Sequence, residues 1–214
     1  FNVIAHKKGT GPKVMLCAHL DEIALMVNHI EDDGCVRFAS VGGVDPRILP
    51  AGVVKVHATL SGEVLTGVVG AVPPHLLSAA DRRSNYSRED LFVDLGLAAE
   101  TVREKVAIGD LITLCGPATK LLNERCAAKT MDDRACVGVL LEAAERLQRM
   151  QHMCDVYFVA TSQEEVGAAG ATVAAYTVDP DLAVVLDVSH ATIPASRPDT
   201  TVPLDAPAAT YGPF

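Results

Sequence analysis

Three short apolar runs are the most regular feature of the chain, at residues 13–18, 155–160 and 182–187. Each run is almost continuously apolar, which is typical of a strand inside a sheet that is covered on both faces. We therefore expect three buried strands in one sheet.

A helical pattern lies between the first run and the second. From residue 129 onward, apolar side chains recur at spacings of three and four residues, at Cys136, Val139, Leu140, Ala143, Ala144 and Leu147. A second helix, rich in small residues, is predicted from Ala168 to about Tyr176. Buried strands that alternate with helices predict an α/β domain with a sheet core covered by helices.

The pattern is different between residues 23 and 116. Short segments, several with alternating character, are separated there by Gly, Pro, Asp and Asn, at 23–30, 35–41, 52–59, 63–69, 91–95 and 110–114. Many short strands at close spacing indicate a compact β-barrel or sandwich. We expect residues 23–116 to form an inserted β-rich domain that mediates self-association, and residues 1–22 and 117–214 to form the α/β domain.

The composition of the chain indicates which classes of partner and which cellular compartment to expect. A net charge of −9 argues against nucleic acid or an anionic membrane surface as the main partner, since both require clustered Lys and Arg. Six cysteines without a C-x-x-C pair indicate buried thiols in a reducing compartment. Because no apolar stretch approaches the roughly 20 residues of a membrane span, a cytoplasmic location is expected. Both ends of the sequence suggest a fragment of a longer protein.

Polar side chains lie at the end of each apolar run, and these side chains are the candidate functional residues. His19 follows the first run, Glu164 and Glu165 follow the second, Asp187 is the last residue of the third, and Asp132 stands at the start of the predicted helix. Two adjacent glutamates cannot both enter a core without a large desolvation cost, so they face a partner, a metal ion or water. The carboxyl ends of strands in an α/β sheet are where ligands usually bind.

Each motif alone also has an ordinary structural explanation. The glutamate pair suits a solvated turn, His19 with Asp21 suits a capped turn, and Asp132 with Asp133 suits a helix amino terminus, where the dipole favours negative charge. The set is more informative, because these ordinary explanations would have to coincide four times at one edge of a sheet.

In this order the motifs resemble the glutamyl and deblocking aminopeptidases, dinuclear metallopeptidases that form tetrahedral particles. The resemblance covers essentially the whole chain and rests on eight motifs: residues 18–23, 41–45, 73–75, 93–96, 108–110, 131–135, 163–167 and 186–188. It implies a three-layer α/β catalytic domain, interrupted by a small PDZ-like β-barrel that forms dimers.

The same resemblance implies roles for individual side chains. His19 and Asp187 correspond to ligands of one metal ion, Asp132 to the bridge between two ions, and Glu165 to a ligand of the second ion. Glu164 corresponds to the general base. Asp21 corresponds to the partner that holds the ring of His19, and the peptide bond between Asp132 and Asp133 is implied to be cis.

The resemblance also implies the cofactors and partners. Two divalent ions are expected, and mixed nitrogen and oxygen ligands suit Zn or Co, with Mn as an alternative. Oligopeptides are the expected substrates, and the intact protein is expected to assemble from dimers into a dodecamer. The family supplies a last histidine to the second ion from a segment that this sequence does not contain. The alternative hypothesis is a non-catalytic member that acts as an assembly or binding subunit.

Overall fold

The computed structural model describes residues 1–78 and 85–192, and these residues form two compact units. One unit contains residues 1–20, 130–162 and 169–192, and is called the sheet unit below. The other contains residues 21–78, 85–129 and 163–168 and is called the barrel unit. The predicted bounds of the inserted domain, 23–116, stay a prediction.

The described part of the sheet unit contains four strands, β1 (Val3–Lys7), β2 (Lys13–His19), β11 (Asp155–Thr161) and β12 (Leu182–Val185). Their order in the sheet is β1-β11-β2-β12. β2 runs parallel to β11 and to β12, whereas β1 pairs antiparallel with β11. The parallel register places His19 of β2 opposite Thr161 of β11, so these two strands end at the same edge.

Two helices cover the two faces of this sheet, α2 (Met131–Gln148) and α3 (Ala169–Val178). Met15 and Cys17 of β2 pack with Ala174 and Val178 of α3. Ala18, the next residue along β2, packs with α2, because side chains on a strand alternate between faces. The unit therefore has three layers, and the predicted α/β class is confirmed.

Two expectations about the sheet unit are wrong. The sequence predicts a buried strand at β12, but all four of its residues are exposed. Among the described residues, β12 pairs only with β2 and lies at the sheet edge. Val139 was expected on the buried face of α2, but its side chain is 53% exposed, whereas the neighbouring Leu140 is 4% exposed. An apolar residue on the helix surface produces the same sequence pattern as one in the core.

The barrel unit contains a closed six-stranded barrel in the order β3-β4-β7-β6-β5-β8. Its strands are β3 (Ala24–Ile30), β4 (Val36–Val41), β5 (Val53–Ala58), β6 (Glu63–Ala71), β7 (Leu91–Asp94) and β8 (Leu111–Leu114). Each predicted strand segment corresponds to one of these strands within two residues. The interior is filled by fully buried aliphatic side chains, among them Leu25, Val54 and Val93.

Smaller elements complete the barrel unit. A short helix α1 (Ala99–Lys105) was not predicted, and it packs Val102 into the barrel core. A two-stranded ribbon follows, made of β9 (Thr119–Lys120) and β10 (Cys126–Ala127). Short 3-10 turns lie at 46–48, 74–76 and 88–90. Within the described ranges, the helices all lack the length and apolar character that crossing a bilayer requires.

Candidate metal centre

His19 is the last residue of β2, and its side chain is only 3% exposed. The backbone amide of His19 donates a hydrogen bond to Oδ2 of Asp133 at 3.1 Å. Its ring nitrogen Nε2 lies 3.0 Å from Oδ1 of Asp132. One aspartate thus holds the main chain of His19 while the adjacent aspartate meets its ring.

The backbone at Asp132 and Asp133 explains how neighbouring side chains can do this. Both residues have non-helical φ and ψ, at −84° and 102° for Asp132 and at −125° and 26° for Asp133. The peptide bond between them is cis, as the resemblance implied. Both aspartates lie in the first turn of α2, and Asp133 is completely buried. The hydrogen bond that Asp133 accepts from the amide of His19 is a contact outside the helix, which a position at a helix amino terminus does not require.

Asp187 follows β12 and adds a third carboxylate to the group that contains Asp132 and Asp133. Its Oδ1 accepts a hydrogen bond from the amide of Val188 at 2.7 Å, and its side chain is exposed. His19, Asp133 and Asp187 each offer one ligand atom, and these three atoms lie within 4.8 Å of one another. The structure therefore brings together His19 and Asp187, which were predicted as ligands, and adds Asp133.

Asp133 is the residue that sequence reasoning missed. It was considered only as a helix cap, because a carboxylate in the first turn of a helix has that common explanation. The available signal was its position directly beside Asp132, a predicted ligand. The direction of its side chain depends on the non-helical backbone at this point, which an amphipathic pattern does not reveal.

The residues present fit a divalent cation. Asp133 Oδ1 is buried and has no hydrogen-bond partner, so it is an unsatisfied acceptor. Among the described residues, no lysine or arginine forms an ion pair with the three aspartates. Burial raises the pKa of Asp133, and the negative charge of Asp187 raises it further. A bound cation would offset both effects.

Cys136 lies one helical turn beyond this group. Burial, followed by a hydrogen bond to Asp133, raises the pKa of its thiol to about 12. The thiol is therefore protonated near neutral pH as long as no cation is bound beside it. The donors that lie together around His19 are one imidazole and carboxylates, a set that suits Zn, Co or Mn.

The predicted glutamate pair belongs to the barrel unit, in the turn formed by residues 163–168. Gln163 has a left-handed φ of 62°, and the amides of Gly167 and Ala168 donate to the carbonyl oxygen of Glu164 at 3.0 and 3.1 Å. The two amides at Glu164 and Glu165 donate to the two carboxylate oxygens of Asp21, each at 3.1 Å. Asp21 thus holds the backbone of this turn.

Gly42 lies beside the same turn. Its φ is +81°, and a Cβ added there would lie 3.1 Å from Cβ of Glu165 and 3.2 Å from its Oε2. The glycine is therefore required both by its backbone conformation and by the closeness of Glu165.

The predicted site residues thus fall into two groups. His19, Asp132 and Asp187 lie in the sheet unit, whereas Asp21, Glu164 and Glu165 lie in the barrel unit. The role of Asp21 as partner of the His19 ring stays a prediction. What the structure adds is its pair of hydrogen bonds to the glutamate turn.

Residues 2–206 match the model of the M42 glutamyl aminopeptidase family. The chain belongs to this family. A lysyl aminopeptidase of Pyrococcus furiosus is 40% identical over 199 residues, which are 92% of this chain and 56% of that relative. The predicted resemblance is therefore confirmed.

Solved structures of M42 relatives share the fold. An aminopeptidase of Desulfurococcus kamchatkensis has a TM-score of 0.85 at 36% identity, over 95% of this chain and 56% of that one. A TET1 peptidase of Pyrococcus horikoshii, described as assembling into a tetrahedron or a large octahedral shell, has a TM-score of 0.78 at 34% identity. That match covers 90% of this chain and 57% of the other. The chain therefore spans a little over half the length of these relatives.

Proposed function

We propose that the chain is the larger part of a metal-dependent aminopeptidase that removes N-terminal residues from oligopeptides. Family membership supports the reaction class, because the relatives are named aminopeptidases. The observation that carries the proposal is the convergence of His19, Asp132, Asp133 and Asp187 at the end of β2. A solvated or capped turn does not require a buried, unpaired carboxylate oxygen at this point.

Two ions would be held by the predicted ligands. His19 and Asp187 would bind the first ion, Asp132 would be shared, and Glu165 would bind the second. When bound, the ions would polarise the scissile carbonyl group and lower the pKa of a water molecule. An aspartate can be shared because its carboxylate has two oxygens, whereas an imidazole presents a single acceptor nitrogen.

Glu164 would accept the proton from the attacking water. A carboxylate is suited to this task when it lies within hydrogen-bond reach of the proton that it removes. Neighbouring side chains on an irregular turn point in different directions, so Glu165 can bind an ion while Glu164 faces the water. The two oxygens of Asp21 accept hydrogen bonds from the amides of both glutamates. These bonds hold the backbone from which the two side chains, with their separate roles, extend.

A pair of matched substitutions tests the proposal. Glu164→Gln should abolish hydrolysis of aminoacyl-nitroanilides and leave the metal content nearly unchanged. Glu165→Gln, one position along the same turn, should lower the metal content. Both proteins are compared with the wild type after chelation and re-addition of Zn, Co or Mn. Retained turnover in Glu164→Gln, or loss of metal from Glu164→Gln rather than Glu165→Gln, would contradict the assignment.

We also propose that the barrel mediates self-association, through dimers that build a dodecamer in the intact protein. Two observations support it. A relative is described as forming closed shells, and Val53 and Val68 are paired on neighbouring strands with exposed side chains. Exposed apolar patches often mark protein interfaces. This function would also remain for a non-catalytic assembly subunit, the alternative to the peptidase.

Light scattering tests the role of the barrel. Val53→Glu with Val68→Glu should reduce the size of the particle, because charges would have to be buried in the interface. Val139→Glu, which changes an exposed valine on α2, is the matched control and should leave the size unchanged. An unchanged particle in the barrel variant would exclude this face as the interface.

A further inference from the structure

The chain passes between the two units close to the predicted metal ligands. The first chain segment of the sheet unit ends at Leu20, and the first segment of the barrel unit begins at Asp21. The chain returns from the barrel unit at Lys129 to the sheet unit at Thr130. The first crossing comes one residue after His19, and the second comes two residues before Asp132.

On the barrel side, one ion pair connects these two crossings. Lys129 Nζ lies 2.6 Å from Glu22 Oε2, and the two side chains are only 18% and 21% exposed. The Oε2 atom itself is buried, and it has no partner with hydrogen-bond geometry, so the contact with Lys129 is an ion pair by distance and charge. A Cβ added to Gly116 would lie 3.1 Å from Cβ of Lys129, so this glycine leaves room for the lysine. The attraction within an ion pair that is largely withdrawn from water is screened less than that within an exposed pair.

On the sheet side, the same two chain segments are connected again. The amide of His19 donates to Asp133, and Nε of Arg134 donates to the carbonyl oxygen of Leu20 at 3.3 Å. Segments 19–22 and 129–134 therefore contact each other in both units. The ion pair between Glu22 and Lys129 lies in the barrel unit, and the two hydrogen bonds lie in the sheet unit. Glu22 lies three residues after His19, and Lys129 lies three residues before Asp132.

We propose that Glu22 and Lys129 are positioning residues, whose ion pair fixes the two crossings and thereby the spacing of His19 and Asp132. The inference rests on the proposed metal-dependent function. Neither side chain needs to contact an ion or a substrate for this role. The pair acts through the backbone, as other supporting contacts around metal ligands do.

The charge of the pair makes the consequence of its loss predictable. Lys129→Met keeps most of the volume of the side chain but leaves the Glu22 carboxylate in a poorly solvated place without its cation. The carboxylate is then expected to turn toward water and shift the segment that follows His19. Loss of a supporting contact around a metal site typically lowers affinity by about 10- to 100-fold. We expect Lys129→Met to bind Co²⁺ more weakly by a factor in this range.

The experiment uses the full 214-residue chain with Co²⁺ alone, followed by equilibrium dialysis and by the visible absorption spectrum of the bound ion. Wild type, Lys129→Met, Glu22→Gln and Lys129→Arg are compared. Lys105→Met is the matched control, because Lys105 pairs with Glu63 elsewhere in the barrel unit. We expect weaker binding and an altered spectrum for Lys129→Met and Glu22→Gln, substantial rescue by Lys129→Arg, and no change for Lys105→Met.

The outcomes separate the inference from the function on which it rests. If the wild type does not bind Co²⁺, the proposed function fails and the inference fails with it. If the wild type binds Co²⁺ and both Lys129→Met and Glu22→Gln bind it equally well, only the positioning role is overturned. Should Lys129→Met not fold, Glu22→Gln carries the same test, because it preserves shape and removes only the charge.

Discussion

Asp133 accepts a hydrogen bond from the backbone amide of His19, at 3.1 Å, while its second carboxylate oxygen is buried and has no hydrogen-bond partner. The first oxygen fixes the end of β2, and the second is available to an ion. Asp133 is therefore positioned to support the candidate centre in two ways, although it was not among the predicted ligands.

We predict that Asp133→Ala lowers the affinity for Zn or Co by about 10- to 100-fold, because the ring of His19 loses its backbone support. It should also lower the free energy of unfolding by about 1–3 kcal/mol, since a buried amide is left without an acceptor. Asp133→Asn keeps one oxygen for the amide and should bind metal with intermediate affinity. Isothermal titration calorimetry and urea denaturation measure the two effects.

Asp110 provides the control for this substitution. Its carboxylate is 2% exposed and accepts hydrogen bonds from the backbone amides of Thr59 and Ala107, within the barrel unit. Asp110→Ala should therefore lower stability in the same way but leave metal affinity unchanged. Equal loss of metal affinity in both variants would mean that Asp133 acts only through general stability.

A second prediction concerns Asp21 and the turn that carries the glutamates. Asp21→Ala removes the acceptor of two backbone amides, those of Glu164 and Glu165. Amide hydrogen exchange at residues 163–168 should become faster, and the catalytic rate should fall because both glutamates lose a fixed position. Hydrogen-exchange mass spectrometry and nitroanilide kinetics provide the measurements.

Asp181→Ala is the comparison variant for Asp21→Ala. Asp181 accepts a hydrogen bond from the amide of Lys13 at the opposite end of β2. Its replacement should leave exchange in the glutamate turn unchanged. If Asp21→Ala also left exchange there unchanged, the two hydrogen bonds would not be what holds the turn.

The sequence allowed most of the barrel and the central strands to be predicted. The runs that became β2 and β11 were continuous and apolar because both faces of these strands are covered by helices. The burial of β12 could not be predicted in the same way. Its residues Leu182 and Val185 have the composition of a central strand but lie at the edge of the described sheet.

The sequence predicted those residues of the candidate site that lie at the carboxyl ends of strands. The run of β2 is followed by a polar residue at its carboxyl edge, so His19 was found. Asp133 was not, because its direction depends on a local departure from helical geometry. The contact between Gly42 and Glu165 was also hidden, since it joins positions more than 120 residues apart in the printed sequence.

A third prediction concerns the reactivity of Cys35. Burial, a hydrogen bond to Asp33 and the negative charge of Asp33 raise the pKa of this thiol to about 11. At pH 8 the thiolate fraction is then about 100-fold lower than for a thiol with the ordinary value of 9.0. Because a more basic thiolate is also a better nucleophile, the net decrease in alkylation rate should be about tenfold.

Iodoacetamide labelling followed by mass spectrometry checks this value. The rate at Cys35 should increase with pH up to about 11. Asp33→Asn removes the neighbouring charge, lowers the pKa and should accelerate labelling at pH 8. Asp32→Asn is the control, because Asp32 pairs with Arg103 and does not contribute to the raised pKa. Equal rates in the two variants would show that burial alone sets the reactivity.

The last prediction uses the two adjacent glycines that follow β4. Gly42 has a φ of +81°, and an added Cβ would press on Glu165, whereas an added Cβ at Gly43 would meet nothing within 4 Å. Gly42→Ala should therefore strain the backbone by about 1 kcal/mol or more and displace the side chain of Glu165. We expect weaker binding of the second metal ion and a lower kcat, because the added Cβ would lie 3.0 Å from Ile23 and 3.1 Å from Glu165, and these neighbours would have to shift by a few tenths of an ångström. Gly43→Ala makes the same chemical change one residue later and should be nearly silent. Metal titration and steady-state kinetics of both variants, with their thermal midpoints, decide the matter: if the two alanine variants behave alike, the closeness of Gly42 to Glu165 has no functional role.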